Sequence, residues 1–247
     1  MKHAHYLPRC FLLAVAMLWI PAVIQAQFAF TTNNGAITIT GYNDAGGTVV
    51  IPDSTNGYPV TSIGSQAFYQ KTNITNVTIP DSVTVIGVQA FSTCTNLQSV
   101  VIGVGVTNIM DSAFSYCSKM TNIIIPNGVV ELGKSSFFQC SSLSSVIFGT
   151  SVTKIGDAAF EYSRVRNLTI PDNVRSIGNY AFANCFNLGG VSIGNGVKSI
   201  GIYAFADSGL TSVSIGNSVT NIGDYAFLNS GGLSSVIIPD SVITIGN

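Results

Sequence analysis

Apolar residues recur along this chain in one short pattern that repeats about every 23 residues. Each repeat begins with an apolar–polar alternation of the form Leu-x-x-Val-x-Ile, as in Leu97 to Ile102, and this period of two predicts a strand with one buried face. A Pro or Gly follows the alternation, and both residues end strands and favour turns. These residues are Pro80, Gly103, Pro126, Gly149, Pro171, Gly194, Gly216 and Pro239.

The second half of each repeat carries a shorter apolar pair, such as Val106 and Ile109, and an Ala-Phe dipeptide, such as Ala113-Phe114. The pair predicts a second short strand or an extended corner, and the dipeptide places a large ring in the core. The polar stretch that leads from the phenylalanine to the next leucine predicts either a single helical turn or a loop.

The phenylalanines of this pattern are spaced by 23 residues five times and by 22 residues twice. A fixed period in this range predicts a solenoid, in which each coil buries its apolar side chains only against its neighbours. The two shorter repeats lose a residue in the polar stretch, after Phe160 and after Phe205, which places both deletions on the surface. The phenylalanines are Phe68, Phe91, Phe114, Phe137, Phe160, Phe182, Phe205 and Phe227.

The period divides the chain into three parts. Residues 1–26 start with Lys2 and Arg9, continue with an apolar run from Phe11 to Ile24, and end at Ala26, which predicts a signal peptide cleaved near Ala26. Residues 27–47 break the period and predict an N-terminal β-hairpin that caps the first coil. Residues 48–247 predict the solenoid, and the last coil is incomplete because the chain reaches residue 247 before another Ala-Phe.

Removal of residues 1–26 would change the available chemistry, because both histidines (His3 and His5) lie there. Without histidine, Ser-His-Asp and Cys-His catalysis and histidine metal ligation are excluded. The remaining chain holds eight Lys and Arg against eleven Asp and Glu, a formal charge of −3, which argues against nucleic acid as a partner. No other apolar stretch is long enough to span a membrane. We therefore expect an exported protein without a catalytic site, a metal site or a cofactor.

The segment from Leu168 to Cys185 reads Leu-Thr-Ile-Pro-Asp-Asn-Val-Arg-Ser-Ile-Gly-Asn-Tyr-Ala-Phe-Ala-Asn-Cys. With these residues the repeat resembles the BspA-like leucine-rich repeats. The resemblance covers about residues 48–247, and the pattern departs from the family only mildly, at Met110 and Ser136. It implies a mostly-β, right-handed leucine-rich-repeat solenoid of about nine coils of 22–23 residues, and an exported or surface location with adhesion to proteins or cells.

One candidate binding surface is on the outer face of the longer strand. Val101, Ile124 and Ile147 occupy the same outward position in three consecutive coils and predict an exposed apolar stripe. Such a stripe favours a protein-contacting surface, although β-branched residues also occur on sheets for their strand propensity alone.

A second candidate surface contains Tyr180, Tyr203 and Tyr225, which share the position before Ala-Phe in consecutive coils. They predict a ladder of rings suited to sugar or protein contact, or simply residues that pack on one another.

Three cysteines, Cys94, Cys117 and Cys140, also share one position in successive coils. Adjacent coils are close enough for one pair to form a disulfide in an exported protein, and the alternative is a row of small buried thiols.

Together these patterns favour a non-enzymatic surface protein that binds a protein ligand, extracellular matrix or another cell surface. The alternatives are a carbohydrate-binding module that uses the tyrosine ladder and a structural spacer without a specific ligand.

Overall fold

The computed structural model describes residues 27–247, and all the regular elements in this part are β-strands. The expected signal peptide, residues 1–26, lies outside the described residues. The strands follow one another as a β-solenoid of about nine turns, which confirms the fold predicted from the period.

The described chain begins with a β-hairpin formed by β1 (Phe28–Asn33) and β2 (Ala36–Tyr42), which pair antiparallel. Asn34 and Gly35 connect the strands and both have positive φ, the backbone that two-residue hairpin turns require. The Phe28 and Tyr42 side chains are buried, and the Tyr42 ring lies 5.3 Å from that of Phe68. The hairpin therefore extends the aromatic interior of the coils that follow.

One side of the solenoid is a continuous sheet of short strands. After the hairpin, each strand pairs in parallel with the one in the next coil, because one apolar residue of each strand points inward and fixes the register. A further two-residue strand, β4 (Ser54–Thr55), pairs antiparallel with β5 at the start of this series. The series is β5 (Tyr58–Ile63), β7 (Val85–Ile86), β9 (Asn108–Ile109), β11 (Glu131–Leu132), β13 (Lys154–Ile155), β15 (Ser176–Ile177), β17 (Ser199–Ile200), β19 (Asn221–Ile222) and β20 (Thr244–Ile245).

A second side is formed by the longer strands, which pair in parallel in three separate groups. The strands are β3 (Gly47–Val50), β6 (Ile74–Ile79), β8 (Ser99–Ile102), β10 (Asn122–Ile124), β12 (Ser145–Ile147), β14 (Asn167–Ile170), β16 (Gly190–Ile193) and β18 (Ser212–Ser214). Their ladder is interrupted between β8 and β10 and again between β12 and β14.

The third side consists of turns that carry the Ala-Phe dipeptides. Its backbone also forms hydrogen bonds from one coil to the next; for example, the Phe137 N–H donates to the Ala159 carbonyl at 2.8 Å. Each coil has two residues with positive φ here, for example Gln89 (φ 54°) and Thr93 (φ 63°). Of the two sequence-based alternatives for this stretch, a helical turn or a loop, the structure has the loop.

The core is dominated by the stacked phenylalanine rings. From Phe91 to Phe227, neighbouring ring centroids lie 5.1–5.5 Å apart and the ring planes differ by 1–6°. This near-parallel stack follows from the spacing of the dipeptides, because each ring enters the interior from the same point of its coil.

Ser136 is the exception to the Ala-Phe pattern, and its side chain is fully buried. Its hydroxyl has no hydrogen-bond partner in the described chain. We expect Ser136→Ala to stabilise residues 27–247 by about 1–2 kcal/mol, because the variant removes a buried polar group whose hydration was lost without replacement. Denaturant unfolding measures the difference.

Ser115 provides the matched control. It is also buried, but its hydroxyl lies 2.9 Å from that of Ser92 and donates to the Ser112 carbonyl at 3.0 Å. Ser115→Ala should therefore destabilise the chain. If both substitutions change the free energy of unfolding equally, the missing hydrogen-bond partner of Ser136 does not determine how much this buried hydroxyl destabilises the chain.

Candidate functional site

The sequence-predicted apolar stripe lies on the outer face of the longer strands. The exposed fractions of Val101, Ile124 and Ile147 are 61%, 61% and 56%. Ile124 and Ile147 are direct register partners in β10 and β12, whereas Ile123 and Ile125 on either side of Ile124 are buried. The stripe is therefore the outward half of an alternating strand pattern.

Val104 extends the stripe and was not singled out from the sequence. It lies in the turn after β8 and is 71% exposed. At the same turn position, all the other coils except that of Thr150 carry Asp or Asn. In several of these coils the side-chain oxygen accepts the backbone N–H of the next coil. Asp81 accepts from Val104 itself at 2.9 Å, and Asp172 accepts from Asn195 at 2.6 Å.

Val104 cannot make this interaction, so its turn gives up a hydrogen bond and exposes an apolar side chain instead. A column-by-column comparison of Asp81, Val104 and Asn127 would have revealed the departure. We call the four residues Val101, Val104, Ile124 and Ile147 the apolar patch.

A shallow cavity of about 430 Å³ lies within the apolar patch. Val101, Val104 and Ile124 contribute to its walls, and it lies where the strand ladder between β8 and β10 is interrupted. The strand and turn segments 97–106, 120–129 and 143–152 contain no charged residue. Charge depletion around exposed apolar side chains is typical of the centre of a protein–protein interface.

The tyrosine ladder has a different geometry. The Tyr180 and Tyr203 ring centroids are 5.0 Å apart, and those of Tyr203 and Tyr225 are 4.9 Å apart, both in stacked arrangements. The inner faces of the rings are therefore covered by one another. All three residues have positive φ, from 55° to 58°, which is uncommon for a large side chain.

The four cysteines of residues 27–247 are free and buried. Each thiol donates to the carbonyl of a phenylalanine in the preceding coil, as in Cys117 Sγ to Phe91 O at 3.2 Å. Ser163 occupies the equivalent position between Cys140 and Cys185, and its Oγ lies 3.2 Å from Cys185 Sγ. A disulfide among Cys94, Cys117 and Cys140 in an oxidising environment stays a prediction.

Burial raises the pKa of the Cys94 and Cys140 thiols to about 12 and that of Cys185 to about 11. Since only the thiolate is nucleophilic, native residues 27–247 should not react with Ellman's reagent at pH 8, and four thiols should react in guanidinium. Because the native state holds these protons more tightly, stability should fall as pH rises above about 9, the ordinary thiol value, towards 12.

Rapid reaction of native residues 27–247 with Ellman's reagent would contradict the burial of the four thiols. Only two reactive thiols after unfolding without reductant would reveal a disulfide.

The sequence pattern of the BspA type leucine-rich repeat region matches residues 61–189 and 175–247, with six copies. The chain belongs to this family. Most of residues 27–247 is thus BspA type leucine-rich repeat, and proteins built on this repeat and fold are typically non-enzymatic scaffolds.

Two solved structures are similar to this BspA type repeat chain. A leucine-rich repeat protein of T. pallidum is 29% identical, with a TM-score of 0.68 over 73% of this chain and 86% of that one. The pneumococcal vaccine antigen PcpA is 20% identical, with a TM-score of 0.52 over 87% of this chain and 75% of that one, and this second likeness concerns the fold alone. No curated protein matches the chain significantly.

Residues 27–247 hold neither a cluster of metal ligands nor a helix suited to crossing a membrane. No group of three or more His, Cys, Asp and Glu side chains is placed to hold a metal ion in this part of the chain. No helix among the same residues is long and apolar enough to cross a membrane.

Proposed function

We propose that this protein is exported to the cell surface or secreted, with cleavage near Ala26, and that it binds a protein ligand through the apolar patch. The proposal includes the three-part organisation of the chain, with residues 1–26 as signal peptide, residues 27–47 as cap and the remainder as the binding solenoid. It assigns the protein no catalytic activity.

The observation that carries this proposal is the exposure of the apolar patch. Its four side chains are 56–71% exposed. Val101, Ile124 and Ile147 share one strand position in successive coils, and Val104 lies in the turn that follows Val101. The fold does not need them, since the core is complete beneath them at Ile123 and Ile125. Contiguous exposed apolar surface of this kind marks interaction sites. Leucine-rich repeat proteins commonly bind proteins, in agreement with the proposal.

A charge placed in the patch should abolish binding without affecting the fold. We expect Ile124→Lys to lower retention of labelled residues 27–247 on a panel of immobilised extracellular matrix proteins and on intact cells by at least tenfold. The physical reason is that the ammonium group would have to be desolvated when the partner covers the patch.

Thr169→Lys is the matched control, because Thr169 is exposed at the same strand position in β14, outside the patch. It adds the same charge and should leave retention unchanged. If both variants, or neither, lose retention, the apolar patch is not the binding surface. Tyr203→Ala, tested in parallel, reports separately on the tyrosine ladder.

A further inference from the structure

A groove of about 570 Å³ opens on the turn side of the solenoid. Its chemistry differs from that of the apolar patch, because it combines two aromatic rings with amide and guanidinium groups. We call it the Tyr162–Phe186 groove. Its lining includes Gln139, Tyr162, Arg164, Asn184, Phe186 and Asn187.

The groove results from differences in coil length. The coil that starts at Phe160 has one residue fewer than its neighbours between the phenylalanine and the next core residue, Val165. Its turn is therefore short, and the Arg164 N–H bonds directly to the Leu143 carbonyl at 3.0 Å. The coil that starts at Phe205 is shortened at the same place. The full-length turn between them, which contains Phe186 and Asn187, is flanked by a shorter turn on each side.

The residues on this turn depart from the rest of the repeat. Phe186 and Arg164 occupy the fourth position after the repeat phenylalanine. In the other coils this position holds a small residue, namely Thr72, Thr95, Ser118, Ser141, Gly209 and Gly231. The Phe186 ring is 67% exposed, so its apolar surface contributes little to folding. A large ring at a position where the fold needs only a small residue indicates a role in binding.

Tyr162 provides the second ring of the groove, at 40% exposure. Its ring meets that of Phe138 edge-on, with an interplanar angle of 90° and centroids 5.9 Å apart. Its faces are therefore not stacked on a neighbour as those of Tyr203 are in the tyrosine ladder.

Polar groups with free hydrogen-bonding capacity lie beside these rings. Within residues 27–247, the side-chain amides of Gln139 and Asn187 and the guanidinium of Arg164 make no hydrogen bond or ion pair with another side chain. Asn184 makes one, a long contact of 3.4 Å from Nδ2 to Glu161 Oε1. The groove thus presents unpaired donors and acceptors beside exposed aromatic surface.

We propose that the Tyr162–Phe186 groove binds an oligosaccharide. Sugar rings have one apolar C–H face, which packs on aromatic side chains, and a rim of hydroxyl groups that pairs with amides and guanidinium. The volume falls within the range of about 300–1,000 Å³ that is usual for small-molecule sites. A protein ligand fits less well, because amide and guanidinium side chains supply four of the eight residues that line the groove, whereas the four side chains of the apolar patch are all aliphatic.

The test is binding of fluorescent residues 27–247 to a printed array of neutral and acidic glycans. We expect the wild-type chain to bind a subset of the glycans, and Phe186→Ser and Tyr162→Ser to weaken that binding at least tenfold. Tyr116→Ser is the matched control, since Tyr116 holds the same position two coils earlier, has similar exposure and φ, and also packs edge-on against Phe138. It should leave glycan binding unchanged.

A second variant tests the coil-length argument. Insertion of one serine between Arg164 and Val165 restores a full-length turn, which should fill the groove and abolish glycan binding while the thermal midpoint stays within a few degrees.

Absence of any glycan bound by the wild-type chain would overturn the proposal. Unchanged binding by Phe186→Ser, or loss of protein retention in that variant instead of glycan binding, would overturn it as well. Ile124→Lys should bind glycans normally, so failure of the apolar patch as a protein site and failure of the groove as a glycan site are distinguishable.

Discussion

Replacing Phe137 by alanine should lower the free energy of unfolding of residues 27–247 by about 3–5 kcal/mol. Phe137 is fully buried at the centre of the ring stack. Its centroid lies 5.3 Å from that of Phe114 and 5.1 Å from that of Phe160, in near-parallel orientation. The substitution therefore removes two aromatic contacts together with the buried area. The surrounding coils cannot close the cavity, since their spacing is fixed by backbone hydrogen bonds.

Phe138, the next residue, is the control for this prediction. It is half-buried and meets Tyr116 and Tyr162 edge-on at the surface. Phe138→Ala should cost about 1–2 kcal/mol, mostly through these two contacts. Guanidinium unfolding followed by circular dichroism measures both variants. A larger loss for Phe138→Ala than for Phe137→Ala would contradict the assignment of Phe137 to the core.

Replacing Ile123 by aspartate should be at least as damaging, with an expected loss of about 5 kcal/mol. The Ile123 side chain is 1% exposed, and a carboxylate there would lose its hydration with no cation to compensate. The loss should be smaller at pH 4 than at pH 7. Burial raises the pKa of the introduced carboxyl in the native state, so the neutral form that the core tolerates is more populated at low pH.

Ile124→Asp is the matched comparison, one residue along the same strand. Because Ile124 points outward, this variant should unfold within about 0.5 kcal/mol of the wild-type chain and should lose protein retention. Comparable destabilisation by both variants would show that the inward and outward assignments of β10 are wrong.

The coil-to-coil repetition explains why so much of the core could be predicted. A residue type that recurs every 23 positions must lie at the same point of each coil, so the stacked order of Phe91, Phe114 and Phe137 follows from counting. The outward position of Val101, Ile124 and Ile147 follows in the same way. Phe28 and Tyr42 could not be assigned to the stack, because the hairpin lies outside the period.

Features that depend on departures from the repeat were harder to predict. Val104 replaces the Asp or Asn that most coils carry at an exposed turn position, and a consensus pattern averages such a replacement away. The exposure of Phe186 depends on the lengths of the coils on both sides. The residues next to Phe186 in the sequence give no indication of either length. Positive φ at Tyr180 or Gln89 leaves no sequence signal either, since neither residue is the Gly or Asn that usually adopts this backbone.

Successive ring centroids from Phe91 to Phe227 lie 5.1–5.5 Å apart, so neighbouring coils present their outward side chains at a nearly constant interval. The chemistry of each outward column can therefore change only in steps of about 5 Å, the separation of stacked strands. A partner with its own regular repeat would match several positions at once only if its period were close to a multiple of this step.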